Sequence, residues 1–405
     1  MKKLLLALAL TACTLPLCAQ YIPSEGNLKA REDFARSRLG IFLHWGIYSS
    51  YAQGEWYLST HQLDPQAYKE AASGFYPARF DAAAWAKAFK DAGAGYVTLT
   101  SRHHDGFSMF DTAATDFDIM DATPFRRDVL KELTQAVKAE GLAMQYYYSL
   151  LDWLRPDYPK GSSGVPKDST MANYNHYFQF EKTQIAELLQ NHPRALWFDG
   201  SWDHEEEGFD WRLEELYAYI HSIAPDCLVG NNHHKAVKQG EDFQMFEKDL
   251  PGENSAGFSG TSVISATLPL ETCETMNYAW GYRVEDQNYK SVKELVHLLV
   301  KAVSKGANLL LNIGPEANGC LPAPALDRLK GLGEWMRKWG HTVNGCGATG
   351  LPAEPWGVTT RDARHLYIHI LEPDKAPATY TFQGRTIKLP KDGADAIDTI
   401  VTIDL

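Results

Sequence analysis

The chain has 405 residues, of which 44% are hydrophobic and 22% are charged, a composition typical of globular proteins. Its formal net charge of -12 argues against nucleic acid or an anionic membrane surface as a partner, because both attract basic proteins. The length predicts one large domain followed by a smaller one.

Residues 1–20 have the pattern of a secretory signal peptide. A pair of lysines precedes a short apolar run that ends in small residues, and the run is too short to span a bilayer. We therefore expect export to the periplasm or the medium, with cleavage near Ala19 or Gln20 and no membrane span. The sequence LTAC at 10–13 also matches a lipoprotein cleavage box, so lipid anchoring through Cys13 is the alternative. It is disfavoured because the chain stays apolar after Cys13.

The mature chain retains four cysteines without any C-x-x-C spacing, namely Cys227, Cys273, Cys320 and Cys346. An exported protein can form disulfides, but scattered cysteines do not require one. Unbridged thiols are the expectation.

From residue 41 onward, short β-rich runs alternate with amphipathic helical runs. The β-rich runs are IFLHWG (41–46), YVTLTS (96–101), AMQYYYSL (143–150), ALWFDGS (195–201), CLVGNN (227–232) and ANLLLNIG (307–314). The helical runs cover 81–93, 126–141, 177–191, 211–223 and 291–306. This alternation predicts parallel strands with crossover helices, most economically closed into a (β/α)8 barrel of the TIM type. A doubly wound open sheet is the alternative, but no G-x-G-x-x-G turn follows the first strand.

The last part of the chain changes character. Short alternating segments separated by Pro, Gly and Asp predict a small C-terminal antiparallel β-sandwich. The predicted boundaries are a catalytic barrel over 21–346 and the sandwich over 347–405. Polar loops at 155–172, 202–210 and 250–266 are too long for simple connections, so we expect them near the functional site.

Polar side chains recur where the predicted strands end, at His44, at His103 and His104, at Tyr147, and at Trp197 and Asp199. Barrel enzymes place their catalytic groups at these carboxyl ends. Trp197 and Asp199 are two residues apart and so face the same side of the sheet. Asp199 is therefore the leading catalytic candidate, and the alternative is an aspartate that caps the following turn.

The two adjacent histidines do not predict a metal site. Neighbouring residues on a strand point to opposite faces, and the chain has no H-E-x-x-H or H-x-H spacing. Neutral imidazoles that hydrogen-bond a sugar fit better, so neither metal nor cofactor is expected. Glu55 and Trp56 pair a carboxylate with an indole, which is common in sugar sites. The run DHEEE at 203–207 is interpreted as a solvated loop.

If this sugar site cleaves a glycosidic bond, it needs a second carboxyl group besides that of Asp199. The candidates C-terminal to Asp199 are Glu247, Glu253, Glu271 and Glu274. The residue pattern alone does not rank them.

Several motifs occur in one specific order, and together they resemble the α-L-fucosidases, family 29 of the glycoside hydrolases. They are GIFLHWGIYS, GEWY, FDAAAWAKAFKDAGAGYVTLTSRHHDGFSMFDT, YYYSLLDW, LWFDGSW, ETCETMNYAWGY, and ANLLLNIGPEANG followed by GLGEWMRKWG. The resemblance covers about residues 25–345. It implies a (β/α)8 barrel followed by a β-sandwich, and a retaining exo-glycosidase acting on fucosylated glycans by double displacement.

The resemblance also implies roles for individual residues. Asp199 corresponds to the nucleophile, and Glu271, eleven residues before Tyr282, to the acid/base, with Glu253 and Glu247 as alternatives. Sugar-binding positions carry over to His44, Glu55, Trp56, His103, His104, Tyr147 and Trp197. This chain departs from the family pattern at Leu270, where many members have Trp, and at NNHH (231–234), where many have Asn-Asp-Arg.

Two other functions remain open at this point. The barrel could act on a related sugar such as α-L-galactose, which adds only a hydroxyl to the fucose methyl. The chain could instead be a carbohydrate-binding homologue that has lost catalysis. The linkage preference and the oligomeric state do not follow from the sequence.

Overall fold

A computed structural model describes residues 21–165, 167–204, 208–258, 263–390 and 395–405. The predicted signal peptide over 1–20, with its cleavage site and Cys13, lies outside the described residues. In the described part of the chain, no helix is long and apolar enough to cross a membrane.

The described residues contain helices and strands in the alternating order that the sequence predicts. The helices are α1 (Glu25–Arg36), α2 (Tyr57–Thr60), α3 (Pro65–Ala71), α4 (Ala82–Asp91), α5 (Val129–Ala139), α6 (Tyr174–Leu189), α7 (Leu213–Ile223), α8 (Val292–Ser304) and α9 (Ala323–Trp339). The strands are β1 (Leu39–Leu43), β2 (Tyr96–Arg102), β3 (Ala143–Ser149), β4 (Ala195–Asp199), β5 (Leu228–Asn231), β6 (Gln244–Glu247), β7 (Leu270–Thr275), β8 (Ala307–Ile313), β9 (Gly347–Ala348), β10 (Gly357–Arg361), β11 (His365–Ile370), β12 (Thr379–Phe382), β13 (Arg385–Lys388) and β14 (Thr399–Asp404).

Strands β1–β8 form one parallel sheet in the order β5-β4-β3-β2-β1-β8-β7-β6. The eighth strand, β8, pairs with the first, β1, and the two edge strands of the sheet, β5 and β6, contact each other, so the eight strands form the predicted barrel, nearly closed. Strand β6 was not predicted: it has only four residues, and the described residues between it and β7 form loops instead of an amphipathic helix.

The seam between β5 and β6 is held by Asp242. Its backbone N–H donates to the Val229 carbonyl at 2.7 Å, and its carboxylate accepts from Val229 N at 2.7 Å. Arg31 of α1 pairs with the same carboxylate at 2.6 Å. Across the seam, a side chain at Gly230 would collide with Met245 and Phe243. A charged residue thus closes the barrel where regular strand pairing stops.

The crossover helices begin where the sequence provides capping side chains. Asp81, Asp128, Asn173 and Ser291 each accept a hydrogen bond from a backbone N–H in the first turn of α4, α5, α6 or α8, which satisfies a donor that the helix leaves unpaired. The barrel strands are buried almost throughout, since helices cover one face and packed side chains fill the other.

The chain after residue 346 forms antiparallel sheets, as predicted. One sheet has the order β14-β11-β10-β9, and β12 pairs with β13 in a second. His297 of α8 contacts the Ile397 carbonyl at 2.8 Å, which ties these sheets to the barrel. Cys227, Cys273, Cys320 and Cys346 are all unbridged.

Candidate active site

A cavity of about 550 Å³ opens at the carboxyl ends of the barrel strands. It contains Asp199 and all seven residues that the sequence nominates for sugar binding. Its lining comprises Phe42, His44, Glu55, Trp56, His103, His104, Tyr147, Trp197, Asp199, Trp202, Asn232, His233, His234, Glu247, Gly257, Phe258, Cys273 and Trp280. The residues predicted from their positions at the carboxyl ends of strands therefore lie together in one cavity. Their individual roles remain predictions.

Asp199 ends β4 and has hydrogen-bond donors around both of its carboxylate oxygens. Tyr147 Oη donates to Oδ2 at 2.9 Å, and Trp202 Nε1 donates to Oδ1 at 3.1 Å. Asn232 Nδ2 reaches Oδ1 at 3.4 Å. The side chain is 13% exposed. An ionised carboxylate only accepts hydrogen bonds, so this ring of donors suits a fixed, charged Asp199 that opens onto the cavity.

Trp197 lies on the same face of β4, as the two-residue period predicts. Its indole packs against the Tyr147 ring with centroids 5.4 Å apart and an interplanar angle of 25°. Phe198 packs in the outer layer against helices instead. Trp197 therefore supports Tyr147, the residue that orients Asp199.

Three buried histidines line the cavity. Burial lowers the pKa of His44 to about 3 and that of His104 to about 4, and it holds the pKa of His103 well below its ordinary value. His44 Nδ1 donates to Asn312 Oδ1 at 2.7 Å, which leaves Nε2 as an acceptor toward the cavity. Neutral imidazoles of this kind can exchange hydrogen bonds with uncharged hydroxyl groups.

His103 and His104 do not point to opposite faces, so this prediction from the sequence is wrong. Strand β2 ends at Arg102, so both histidines lie in the following turn, where strand alternation does not apply. Their ring centroids are 4.1 Å apart and both rings line the cavity. In the described residues, no group of three or more His, Cys, Asp or Glu side chains is placed so that it could hold a metal ion.

Glu55 and Trp56 form the wall beyond the first strand. Glu55 Oε2 accepts from Gly281 N at 2.7 Å, and burial raises the pKa of its carboxyl. The Trp56 ring stacks on that of Trp202 with centroids 5.8 Å apart. These contacts join the loops after β1, β4 and β7 around the mouth.

Glu271, the acid/base that the resemblance implies, does not line the cavity. It is the second residue of β7 and 1% exposed. Its carboxylate accepts from Tyr96 Oη at 2.5 Å and from Trp197 Nε1 at 2.8 Å. Cys273, on the same face of the strand, is the residue that reaches the cavity. Glu271 therefore lies one layer too deep, about 7 Å along the strand.

Glu247 ends β6 and faces the cavity with 16% of its side chain exposed. Burial, followed by the charge of Asp199, raises the pKa of its carboxyl to about 7. Asn232 Nδ2 donates to Glu247 Oε2 at 2.8 Å, and the same nitrogen reaches Asp199 Oδ1. These two carboxylate oxygens consequently lie within about 6 Å of each other.

Glu253 is exposed on the loop after β6 and lines a separate cavity between the barrel and the antiparallel sheets. The geometry thus moves the acid/base candidate from Glu271 to Glu247, which the sequence analysis kept as an alternative. The role itself remains a prediction.

The predicted polar loops differ in their relation to the cavity. Trp202 and Phe258 line it from two of them, whereas none of the described residues of the loop over 155–172 does. The solvated interpretation of DHEEE is wrong for its first two residues, because Asp203 and His204 are each 2% exposed and Asp203 accepts a hydrogen bond from Tyr158 at 2.7 Å. Residues 205–207 lie outside the described residues.

The comparisons with known proteins agree on one family. A family model described as alpha-L-fucosidase matches residues 10–341. Plasma alpha-L-fucosidase of Rattus norvegicus is 31% identical over 76% of this chain and 69% of its own length. Alpha-L-fucosidase isoenzyme 1 from Paenibacillus thiaminolyticus superposes with a TM-score of 0.83 at 33% identity, covering 94% of this chain and 99% of that one. Thermotoga maritima alpha-fucosidase, solved in complex with fucose, gives a TM-score of 0.72 at 26% identity, with 95% and 100% coverage.

Proposed function

The chain belongs to the α-L-fucosidase family, family 29 of the glycoside hydrolases, and we propose that Asp199 and Glu247 perform the two-step hydrolysis of its substrate. The enzyme removes terminal α-L-fucose from fucosylated glycans with retention of configuration. The carboxylate pair carries the proposal. Retaining enzymes hold their two carboxyl groups about 5–5.5 Å apart and inverting enzymes about 6.5–9.5 Å apart. The Asn232 amide, which contacts both Asp199 Oδ1 and Glu247 Oε2, keeps these two oxygens within about 6 Å of each other.

In the first step, an Asp199 oxygen attacks the anomeric carbon of fucose. The bond from that carbon to the glycosidic oxygen breaks, and Glu247 gives its proton to the departing oxygen. The fucosyl group is then esterified to Asp199. In the second step, Glu247 takes a proton from water, the water oxygen attacks the anomeric carbon, and the ester bond to Asp199 breaks.

The electrostatic coupling between the two carboxyl groups suits this alternation. The negative charge of Asp199 helps to raise the pKa of Glu247 to about 7, which favours the protonated acid before the reaction. Ester formation removes that charge. The pKa of Glu247 then falls, and the same residue becomes a base for the attacking water.

Other residues that line the cavity suit the polar and the apolar parts of fucose. We propose that His44, His103, His104 and Glu55 bind its hydroxyl groups. Phe42, Cys273 and Trp280 provide apolar surface for the C5 methyl. An apolar surface rejects an added hydroxyl only weakly, so slow cleavage of an α-L-galactoside is expected alongside cleavage of the fucoside.

Export is a separate proposal that rests on the lysines and apolar run of residues 1–20. Cell fractionation and mass spectrometry of the mature N-terminus test it. Cleavage near Ala19 supports ordinary export, a lipid-modified Cys13 supports anchoring, and an uncleaved cytoplasmic chain contradicts both.

Hydrolysis of 4-nitrophenyl α-L-fucoside, followed by NMR from the first turnover, tests the main proposal. Retention requires α-L-fucose as the first product, and initial β-L-fucose would contradict the double displacement. Digestion of α1,2-, α1,3-, α1,4- and α1,6-fucosylated oligosaccharides then determines the linkage preference.

A further inference from the structure

A side groove of about 600 Å³ joins the active-site cavity next to Glu247. Five lining residues are common to the groove and the cavity: Glu55, Trp56, Glu247, Phe258 and Trp280. The groove therefore begins at the proposed acid/base and runs outward from it.

Loops from three strands build the side groove. The loops after β1 and β7 form one wall, joined by a bridge between Gln53 and Arg283 and by Gly54 N donating to the Tyr282 carbonyl at 3.0 Å. The loop after β6 forms the other wall. Asp249 holds it by accepting from Ser255 N at 2.8 Å.

Two aromatic rings stand exposed in this groove. Tyr278 is 74% exposed and Phe258 is 46% exposed. Lys248 Nζ donates to the Tyr278 carbonyl at 3.1 Å and lies 5.2 Å from the centroid of the Tyr278 ring. Lys248 also adopts a left-handed conformation with φ of 55°, which is strained for a residue with a β-carbon. With this backbone conformation, Lys248 contacts the loop after β7, while Glu247, just before it, faces the cavity.

We propose that the side groove binds the sugar to which fucose is attached, an inference that rests on the proposed function of Glu247. A general acid must come within about 3 Å of the glycosidic oxygen, so the leaving group has to lie on the Glu247 side of the fucose pocket. Another groove also meets the mouth, but it shares only Trp202 and His233 with the cavity and does not contain Glu247.

The lining of the side groove indicates the chemistry of its occupant. Exposed aromatic rings present flat apolar faces to the C–H face of a pyranose, while Lys248 and Arg283 offer hydrogen-bond donors to hydroxyl or acetamido oxygens. The occupant is a hexose or N-acetylhexosamine, whether free in an oligosaccharide or part of a glycoconjugate.

The test compares two substrates that differ only in the leaving group. One is the fucosyl disaccharide that the wild-type enzyme cleaves best, and the other is α-L-fucosyl fluoride, whose leaving group is too small to fill the groove. Tyr278→Ala should lower the ratio of kcat/KM for the disaccharide to kcat/KM for the fluoride by about tenfold, the value of one aromatic contact. Tyr76→Ala removes another exposed tyrosine that lies outside both grooves (57% exposed) and should leave the ratio unchanged.

Transfer to an acceptor gives an independent readout. With fucosyl fluoride as donor and the free acceptor sugar added, Tyr278→Ala should reduce the transfer product relative to hydrolysis by a similar factor. Equal losses on both substrates would overturn the assignment, as would a fall in the ratio for Lys238→Ala, which lines the other groove. Failure of the wild-type protein to hydrolyse fucosyl fluoride would instead count against the proposed function itself.

Discussion

The two sides of the barrel are built differently. Strands β1 to β4 have five to seven residues each, and helices connect them. Strands β5 and β6 have four residues each, and within the described residues no α-helix follows either strand before β7. Asp199 and most of the fucose pocket belong to the regular side, whereas Glu247 and the side groove belong to the irregular side. Under the proposed roles, the fucosyl group therefore lies against the regular side of the barrel and the departing sugar against the irregular side.

The largest expected effect is on the regular side, at the nucleophile. Asp199→Ala should lower kcat by about 10⁴-fold or more, because no other group can form the covalent intermediate. Added azide should occupy the vacated space and give β-L-fucosyl azide, identifiable by NMR. Asp116→Ala, an exposed position, controls for loss of one aspartate. Near-normal turnover by a folded Asp199→Ala protein would contradict the assignment of Asp199 as the nucleophile.

The next effect is on the irregular side, at the acid/base. Glu247→Ala should slow cleavage of an oligosaccharide by about 10²–10⁴-fold, yet leave fucosylation from 4-nitrophenyl fucoside nearly unchanged, because nitrophenolate departs without a proton. Azide should now give the α-azide. Since only protonated Glu247 can act as acid, wild-type activity should fall as the pH rises through its pKa of about 7. This fall at high pH should be absent from the pH–rate profile of Glu247→Ala.

Glu271→Ala provides the comparison for that experiment. Its carboxylate supports Trp197 and Tyr96 beneath the cavity, so its loss should slow both substrates by the same factor. If instead Glu271→Ala slowed the oligosaccharide and spared 4-nitrophenyl fucoside, while Glu247→Ala slowed both substrates equally, the acid/base role would return to Glu271.

The contrast between the two sides also explains which features the sequence could predict. Asp199 is the last residue of a buried strand within a regular strand–helix repeat, so the rule that barrel enzymes place catalytic groups at strand ends locates it. Glu247 is the last residue of the short strand QMFE, and no amphipathic sequence pattern follows it to mark this segment as a barrel strand. Glu271, eleven residues before Tyr282, lies on the same face of β7 as the cavity-lining Cys273. Its depth below the cavity depends on how the barrel strands are staggered, and residue spacing does not determine that stagger. The antiparallel sheets after residue 346 were predictable because their alternation is local.

Glu271 should also affect stability in a way that depends on pH. Burial raises the pKa of its carboxyl from 4.5 in the unfolded chain to about 7 in the folded one. The folded state therefore keeps a proton that the unfolded state releases, and this contribution to stability, complete below pH 4.5, is lost as the pH rises through 7. Relative to the wild type, Glu271→Gln should gain about 3 kcal/mol in free energy of unfolding between pH 4 and pH 8.

Urea denaturation across that pH range measures this difference. Glu32→Gln, at an exposed position of α1, controls for the removal of one negative charge. If the Glu271→Gln difference stays constant with pH, the carboxyl is not held in a desolvated site, and the layered arrangement of Glu271 beneath Trp197 is contradicted.

The smallest expected effect is at Glu253, which lies on the irregular side together with Glu247. Glu253 follows Glu247 closely in the chain, but it is exposed and its cavity lies between the barrel and the antiparallel sheets. Glu253→Gln should therefore change kcat/KM by less than about twofold on either substrate and stability by less than about 0.5 kcal/mol, while the matched Glu247→Gln loses oligosaccharide cleavage. If Glu253→Gln instead slowed the oligosaccharide and spared nitrophenyl fucoside, the loop after β6 would have to fold over the cavity during catalysis. The acid would then come from a mobile loop, and the end of β6 would only hold Asn232 in place.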